Sequence, residues 1–287
     1  MNKIQDFDAI LVSIRRDLPI LKHAINALRT NAPGLQSVYV VTAKTNHVLF
    51  SETLPKNVVI LDEDLLIPSM TLEDLRGYKL PFFPGGAGWY YQQFLKYQVA
   101  ATVSKCENCL VWDADTILLQ PLEFFDQDGR TIFTKAQEFH HPYFTTFERL
   151  FGFSAVREFS FISQHIMLNK RVLIEMIDAI HHFQPGNINW AWKIMKACGK
   201  TGRNLFSEYE TYGHYMKRFH PESMIFRDLR WIRKGISTRN TTREIQRFEK
   251  LGDEYAFAAL EYNLSLTRYV LRNIRLRLLQ PFYDLSS

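Results

Sequence analysis

The chain is short of cysteine, with three in 287 residues. That is too few for a disulfide framework and points to a reducing compartment. It also lacks an uninterrupted apolar run near the roughly 18 residues that a membrane span needs. The first residues, Met1 to Asp8, do not follow the basic-then-apolar layout of a secretory leader. These absences together predict a cytoplasmic chain. Internal repeats and low-complexity tracts are missing as well. The glycine cluster at 85–88 is not followed by the Lys-Ser/Thr pair of a phosphate-binding P-loop, and its spacing fails the dinucleotide fingerprint. Nothing resembles a nucleic-acid-binding module, so no nucleic-acid partner is expected. Cys106 and Cys109 form a C-x-x-C, but they precede an apolar strand rather than follow one, and Cys198 stands alone. That layout suits neither a zinc site nor a thioredoxin-like pair.

What the chain does have is aromatic side chains, 14% of residues with 22 Phe and 13 Tyr, enough to fill a large core or to line a pocket. Its length allows one large domain or two small ones. The formal charge of +5 is modest but unevenly placed. Arg227, Arg230, Arg233, Lys234, Arg239, Arg243 and Arg247 crowd one segment, and Arg268, Arg272, Arg275 and Arg277 another. Such a part could meet an acidic substrate or an anionic membrane, or simply be solvated.

Apolar runs at 8–14, 37–42 and 58–61 predict three strands, and the spacing of Leu18, Leu21, Ile25 and Leu28 predicts a helix between the first two. Asn31-Ala32-Pro33-Gly34 ends that helix. The β-α-β-β order argues for a parallel α/β sheet. Helices are predicted over 89–104, 170–182 and 189–198, and strands over 130–135 and 160–168. Ser207 is placed as N-cap of a further helix, with Glu210 in the capping-box position. One domain over 1–250 with a helical extension over 251–287 is the simplest organisation. Leu264, Thr267, Leu271, Ile274 and Leu278 make one stripe of a helix expected over 254–279, and Arg268, Arg272 and Arg275 another. Such a helix lies on an anionic membrane or packs on protein.

The most chemical segment is Leu110-Val111-Trp112-Asp113-Ala114-Asp115-Thr116-Ile117-Leu118-Leu119. Two carboxylates interrupt an apolar run, and on a continuous strand both would face the same way. Adjacent anions resist desolvation without a cation. A divalent metal with a phosphate-bearing substrate would supply one; a strand-end turn or cap is the plainer explanation.

The Gly88-Trp89-Tyr90-Tyr91-Gln92-Gln93-Phe94-Leu95-Lys96 segment, Val111-Trp112-Asp113-Ala114-Asp115, Ser160-Phe161-Ile162 and Phe206-Ser207-Glu208-Tyr209-Glu210 together resemble the GT-A class of nucleotide-sugar-dependent glycosyltransferases. The likeness is to a bacterial branch associated with surface polysaccharide synthesis and covers roughly residues 8–235. It implies a GT-A (Rossmann-like) mixed sheet flanked by helices, a nucleotide-sugar donor and Mn²⁺ or Mg²⁺. The acceptor implied is a glycan or a lipid-linked sugar; the basic C-terminal helix, if it lies peripherally on a membrane rather than packing on protein, would suit a lipid-linked acceptor at the inner face of the cytoplasmic membrane.

The resemblance also distributes roles. Asp115 would bind the metal, with Asp113 touching the nucleotide or a metal-bound water, and His220 is a candidate for the metal shell. Ser13, Arg15 and Asp17, after the first strand, would hold the nucleotide, although Asp17 is equally placed to cap the following helix. Gln93 and Lys96 would reach the donor. Glu208 or Glu210 would be the base that removes the acceptor proton in an inverting transfer. Two residues apart on a helix they diverge by roughly 200°, so only one can serve, with Glu208 preferred. His165 is a candidate for lining the acceptor pocket. A nucleotidyltransferase and a non-catalytic binding module are the alternatives; residues 12–17 lack the Gly-rich basic signature of the former.

Overall fold

The computed structural model describes residues 5–78, 86–199 and 204–262. In chain order the first elements are β1 (Phe7–Val12), α1 (Leu18–Asn31), β2 (Leu35–Thr42), α2 (His47–Thr53), β3 (Val58–Asp62), α3 (Leu72–Gly77) and α4 (Gly86–Thr102). Then come β4 (Asn108–Trp112), β5 (Thr116–Leu118), β6 (Thr131–Thr134), α5 (His141–Phe151), β7 (His165–Asn169), α6 (Lys170–Phe183) and α7 (Trp190–Ala197). The last are α8 (Glu208–Phe219), β8 (Met224–Arg227), β9 (Trp231–Ile236), α9 (Thr241–Glu249) and β10 (Phe257–Tyr262). The expected mixed α/β architecture is present. Among the described residues no helix is long and apolar enough to cross a membrane.

Two compact units divide the chain: Met1–Ile14, Gly34–Asp113 and Glu123–Asp228 form the first, and Arg15–Pro33, Ala114–Leu122 and Leu229–Ser287 the second. The first holds a five-stranded sheet in the order β3-β2-β1-β4-β7. β3, β2, β1 and β4 run parallel, and β7 is antiparallel to β4. Parallel strands buried on both faces read as continuous apolar runs, and Phe7, Ala9, Ile10 and Leu11 of β1 are fully buried. The strand order reverses direction at β1: β2 and β3 lie to one side, β4 and β7 to the other. In open α/β sheets the carboxyl ends of the strands at such a switch point form the ligand crevice. Here those ends are Ser13, after β1, and Asp113, after β4. Helix α4 is buried at nearly every position from Tyr90 to Ala100, as expected of a helix inside a core rather than upon it. A short parallel pair, β6 with β8, completes this unit.

In the second unit β5, β10 and β9 form a sheet in that order. Ile20 of α1, Ile117, Ile236, Ile245, Phe248, Ala258 and Leu260 make its core. Helix α1 thus contributes Ile20 to this core, although it connects two strands of the first unit's sheet. The run at 110–119 is two strands, not one: a turn at 114–115 parts β4 from β5, and the two strands join different sheets. Residues 257–262 are strand β10, paired with β5 and β9, not the opening of the helix expected over 254–279. Ala256 to Leu260 are buried, and two neighbouring strands satisfy the backbone there, which outweighs local helix pattern. Residues on both sides of position 250 belong to this unit, and the remainder of the expected extension, 263–287, lies outside the described residues.

Candidate functional site

Lys96 is the centre of a buried charged cluster in the first unit. It projects from α4, and its Nζ lies 2.8 Å from Asp113 Oδ1 and 2.7 Å from Glu208 Oε1. The ammonium also sits 4.9 Å from the centroid of the Tyr209 ring. Tyr209 donates its hydroxyl hydrogen bond to Asp113 Oδ1 at 2.7 Å. The side chains of Lys96 and Glu208 are 3% and 4% exposed, that of Asp113 24%. Asp113 is therefore the member of the cluster that meets solvent. Burial works to lower the Lys96 pKa, but the Asp113 and Glu208 carboxylates outweigh it and hold the amine protonated. Burial pushes the Glu208 carboxyl up, against the pull of Lys96.

The local frame explains how three distant residues meet. Ser207 caps α8, accepting from the Glu210 N–H, as its sequence position predicts. Glu208 N–H donates to Gln93 Oε1 at 2.9 Å, and Tyr97 donates to the Glu208 carbonyl at 2.5 Å. Two residues of α4 thus grip the first turn of α8, and a third, Lys96, takes its carboxylate. Asp113 is held by its own backbone N–H, which donates to Gln164 O at 3.0 Å. Gln164 has a positive φ of 64°, an uncommon conformation for a residue with a side chain.

The sequence expected Gln93, Lys96, Asp113 and Glu208 at the site, and the structure brings all four together, with different duties. Gln93 is buried and braces α8. Glu208 is the buried counter-ion of Lys96. Tyr209 was not expected; an aromatic residue between two glutamates carries no pattern in sequence that separates a hydrogen-bonding partner from a core ring. Ser13 lies at the carboxyl end of β1, buried, its N–H donating to Val41 O at 3.0 Å.

The other expected residues have surroundings of their own. Arg15 and Asp17 lie in the second unit. Asp17 makes no side-chain cap to α1; it pairs with Arg16 at 3.1 Å, and burial raises its pKa against that cation. Asp115 is in the turn after β4, its carbonyl accepting from Leu260 N–H at 2.8 Å. His220 is at the far end of α8, roughly 18 Å along a twelve-residue helix from Glu208. There its Nε2 lies 2.9 Å from Glu175 Oε2, so it is not part of the Asp113 cluster. Glu210 points into a sealed pocket: Ser160 donates to its Oε1 at 2.5 Å, and His214 Nε2 lies 3.0 Å from Oε2. His165 is a core residue. It stacks on Trp112 at 5.2 Å, and burial, with Arg227 nearby, lowers its pKa to about 3.

The C-x-x-C is structural. Asp8, fully buried, accepts from Ser104 Oγ, Lys105 N–H and Cys106 N–H, and though burial works against it, these bonds hold its carboxyl below the ordinary value. Burial raises both thiols, Cys106 to about 11, which keeps them from being thiolates at neutral pH. Three of the seven basic residues over 227–247 are used internally: Arg227 donates to Thr134 and to the Glu123 carbonyl, Arg233 pairs with Glu261, and Lys234 with Glu244.

The family model for DUF6492, a family of unknown function, matches residues 18–242. The chain belongs to this family. No curated protein has a sequence that matches it. Among solved structures, mouse xyloside xylosyltransferase 1 in its apo form is similar at 13% identity and a TM-score of 0.47, covering 89% of this chain and 97% of that one. The galactosyltransferase LgtC, in complex with donor and acceptor sugar analogues, is similar at 12% identity and a TM-score of 0.47, covering 88% and 87%. At these values no residue correspondence follows.

The donor set can be tested against the expected Mn²⁺ or Mg²⁺. Two carboxylates here already share one ammonium, and Asp113 Oδ1 takes both Lys96 and Tyr209. Among the described residues no group of three or more His, Cys, Asp and Glu could hold a metal ion. Divalent magnesium-type ions need hard oxygen ligands in near-octahedral array. These residues make no protein-only cage; an ion of this kind, which usually takes one or two carboxylates together with substrate phosphate and water, would rely on a bound diphosphate to complete its shell. What they make by themselves is a rigid hydrogen-bond acceptor: one oxygen of Asp113 is fixed, and the carboxylate is presented at a sheet switch point.

Proposed function

We propose that the chain is a glycosyltransferase that takes a sugar from a nucleotide-sugar donor to a hydroxyl of a glycan or lipid-linked acceptor. The observation that carries this reading is the placement of Asp113. It ends β4 beside the carboxyl end of β1, at the switch point of the sheet, anchored on one side by Lys96 and Tyr209 and exposed on the other. A carboxylate so held is preorganised to accept hydrogen bonds from donor hydroxyls or a base N–H, at little cost in side-chain entropy on binding. Ser13 belongs to the same crevice. Lys96, Glu208 and Gln93 act as positioning residues: they fix Asp113 and do not themselves reach solvent. The sequence resemblance to GT-A transferases, on the Gly-Trp-x-x-Gln-Gln-x-x-Lys helix and Asp-Ala-Asp, supplies the substrate class.

The test is a thermal-shift panel of nucleotide sugars, with and without Mn²⁺, on wild type, Asp113→Asn and Asp115→Ala. A ligand that binds only the folded state raises the midpoint by mass action. One donor is expected to raise it for wild type, and Asp113→Asn to lose that rise. The metal arm decides dependence: a rise that needs Mn²⁺ and fails in Asp115→Ala assigns that carboxylate to a metal brought in with the diphosphate. The reading fails if no donor shifts wild type, or if Asp113→Asn responds as wild type does.

A further inference from the structure

A cleft among the described residues lies away from Asp113. It opens at the other end of β4 with a volume of about 600 Å³, within the range of roughly 300–1,000 Å³ typical of small-molecule sites. It lies in the first unit, around Asn108, which begins β4, and Asn169, which ends the antiparallel β7. Since strands advance about 3.3 Å per residue, the five-residue strand puts this cleft about 17 Å from Asp113. His220, the histidine that the Asp113 cluster leaves out, lines it.

The lining is chemically specific. Planar amides come first: Asn169 Nδ2 donates to Asn108 Oδ1 at 3.1 Å, and Gln5 Nε2 to the Gly129 carbonyl at 3.1 Å. Carboxylates follow, each held by a neighbour. Arg171 pairs with Glu107 at 3.0 Å, and Glu175 is fixed between His220 and the Tyr215 hydroxyl, at 2.9 Å each. Phe125, Val172 and Met216 supply apolar wall. Two carboxylates against one guanidinium repel a phosphate or an acidic sugar, and the one arginine is already paired. The amide oxygens are engaged, Gln5 Oε1 by Asn108 Nδ2 at 3.4 Å and Asn169 Oδ1 by the Arg171 and Val172 N–H groups, which leaves each amide a second N–H to donate; with the lone pairs of the carboxylates these match vicinal hydroxyls, which both donate and accept. An apolar wall matches the C–H face of a pyranose.

We propose that this cleft is a binding site for a neutral glycan, separate from the Asp113 crevice. This site is independent of the transferase reading. It is tested by saturation-transfer NMR on the full chain with neutral gluco-, galacto- and manno-configured tetrasaccharides. At least one is expected to bind saturably. Ser223→Trp, on the cleft wall, should weaken binding by about tenfold or more, roughly 1.4 kcal/mol. Arg171→Ala removes an 87% exposed side chain and should weaken it by a few fold; Asp113→Asn should leave it unchanged. Ring protons should not be displaced by a nucleoside diphosphate or inorganic phosphate. The proposal is overturned if no neutral tetrasaccharide binds wild type, or if phosphate or the nucleotide displaces it. Binding that is lost in Asp113→Asn but kept in Ser223→Trp overturns it as well. Should Ser223→Trp not fold, unchanged affinity in Arg171→Ala is decisive against it. Glycan binding without response to any nucleotide sugar would keep this site and remove the transferase reading, so the two stand or fall separately.

Discussion

Helix α8 begins with two glutamates that meet opposite surroundings. Glu208 faces a cation, Lys96, and through it Asp113, whose side chain is 24% exposed. Glu210 faces a hydroxyl and an imidazole, Ser160 and His214, and all three residues are buried. The rings of Phe144, Phe147 and Phe161 close around His214 with centroids 5.1–5.9 Å away. Gly213 makes that closure possible, because a Cβ there would lie 2.3 Å from the Phe161 ring. The first cluster is charged and has one opening. The second is sealed, and Glu210 Oε2 and His214 Nε2 face each other without a hydrogen-bond alignment. The contrast teaches which carboxylate meets solvent: neither glutamate, but the aspartate that one of them helps to fix.

The largest expected effect comes from removing the cation. Lys96→Met leaves the buried Glu208 carboxylate, and the half-buried Asp113 beside it, without their partner and should cost about 3–5 kcal/mol in urea unfolding. Adding Glu208→Gln to that variant should restore part of it, since one uncompensated charge then disappears. A loss below about 1 kcal/mol for Lys96→Met would contradict the charged cluster. His165 measures what sealing does to a titratable group elsewhere in the same unit. Its pKa is about 3 in the folded chain against an ordinary 6.5, so between those values the unfolded chain binds a proton that the folded one does not. Stability should therefore fall with pH from 6.5 downward, by about 1.4 kcal/mol per unit from this group, and the contribution is constant above 6.5. His165→Gln should flatten that part of the profile; an unchanged slope assigns the loss to other groups.

Smaller effects sharpen the sealed side. Gly213→Ala must push the Phe161 ring aside and should cost about 1–3 kcal/mol, read as a lower urea midpoint at unchanged slope. No loss would mean the rings around His214 give way freely. The smallest expected change in stability belongs to the open member. Asp113→Asn leaves Lys96 with one carboxylate and removes no buried bulk, so its cost should stay near about 0.5–1 kcal/mol. A loss as large as that of Lys96→Met would make Asp113 a structural keystone rather than a residue displayed for binding.

Much of the frame was legible from local pattern. The runs at 8–14, 37–42 and 58–61 became β1, β2 and β3, and the helices expected over 170–182 and 189–198 became α6 and α7 with small boundary shifts. Periodicity reports which face of an element is buried, and Leu18, Leu21, Ile25 and Leu28, the spacing that marked α1, are all buried. Ser207 was legible as an N-cap because capping is satisfied within one turn of chain. Helix α2 escaped notice; seven residues with one buried side chain, Phe50, leave too little periodic signal. The strand β10 escaped for the opposite reason, since the apolar positions of its segment fit a helix until two neighbouring strands claim the backbone.

By itself the sequence determined that Asp113 would close an apolar strand and need a positive partner, because two carboxylates at the end of a buried run cannot be desolvated alone. Which positive charge answers it was decided only in three dimensions. A lysine 17 positions earlier and a glutamate 95 positions later meet Asp113 because α4 threads the core and its Gln93 and Tyr97 grip the first turn of α8. The spacing that placed Asp113 and Asp115 on one face assumed a continuous strand, and a turn at 114–115 sends the second to a different unit. Local pattern fixes how a residue is oriented on its own element; the partner that satisfies its charge comes from elements the chain brings in from elsewhere.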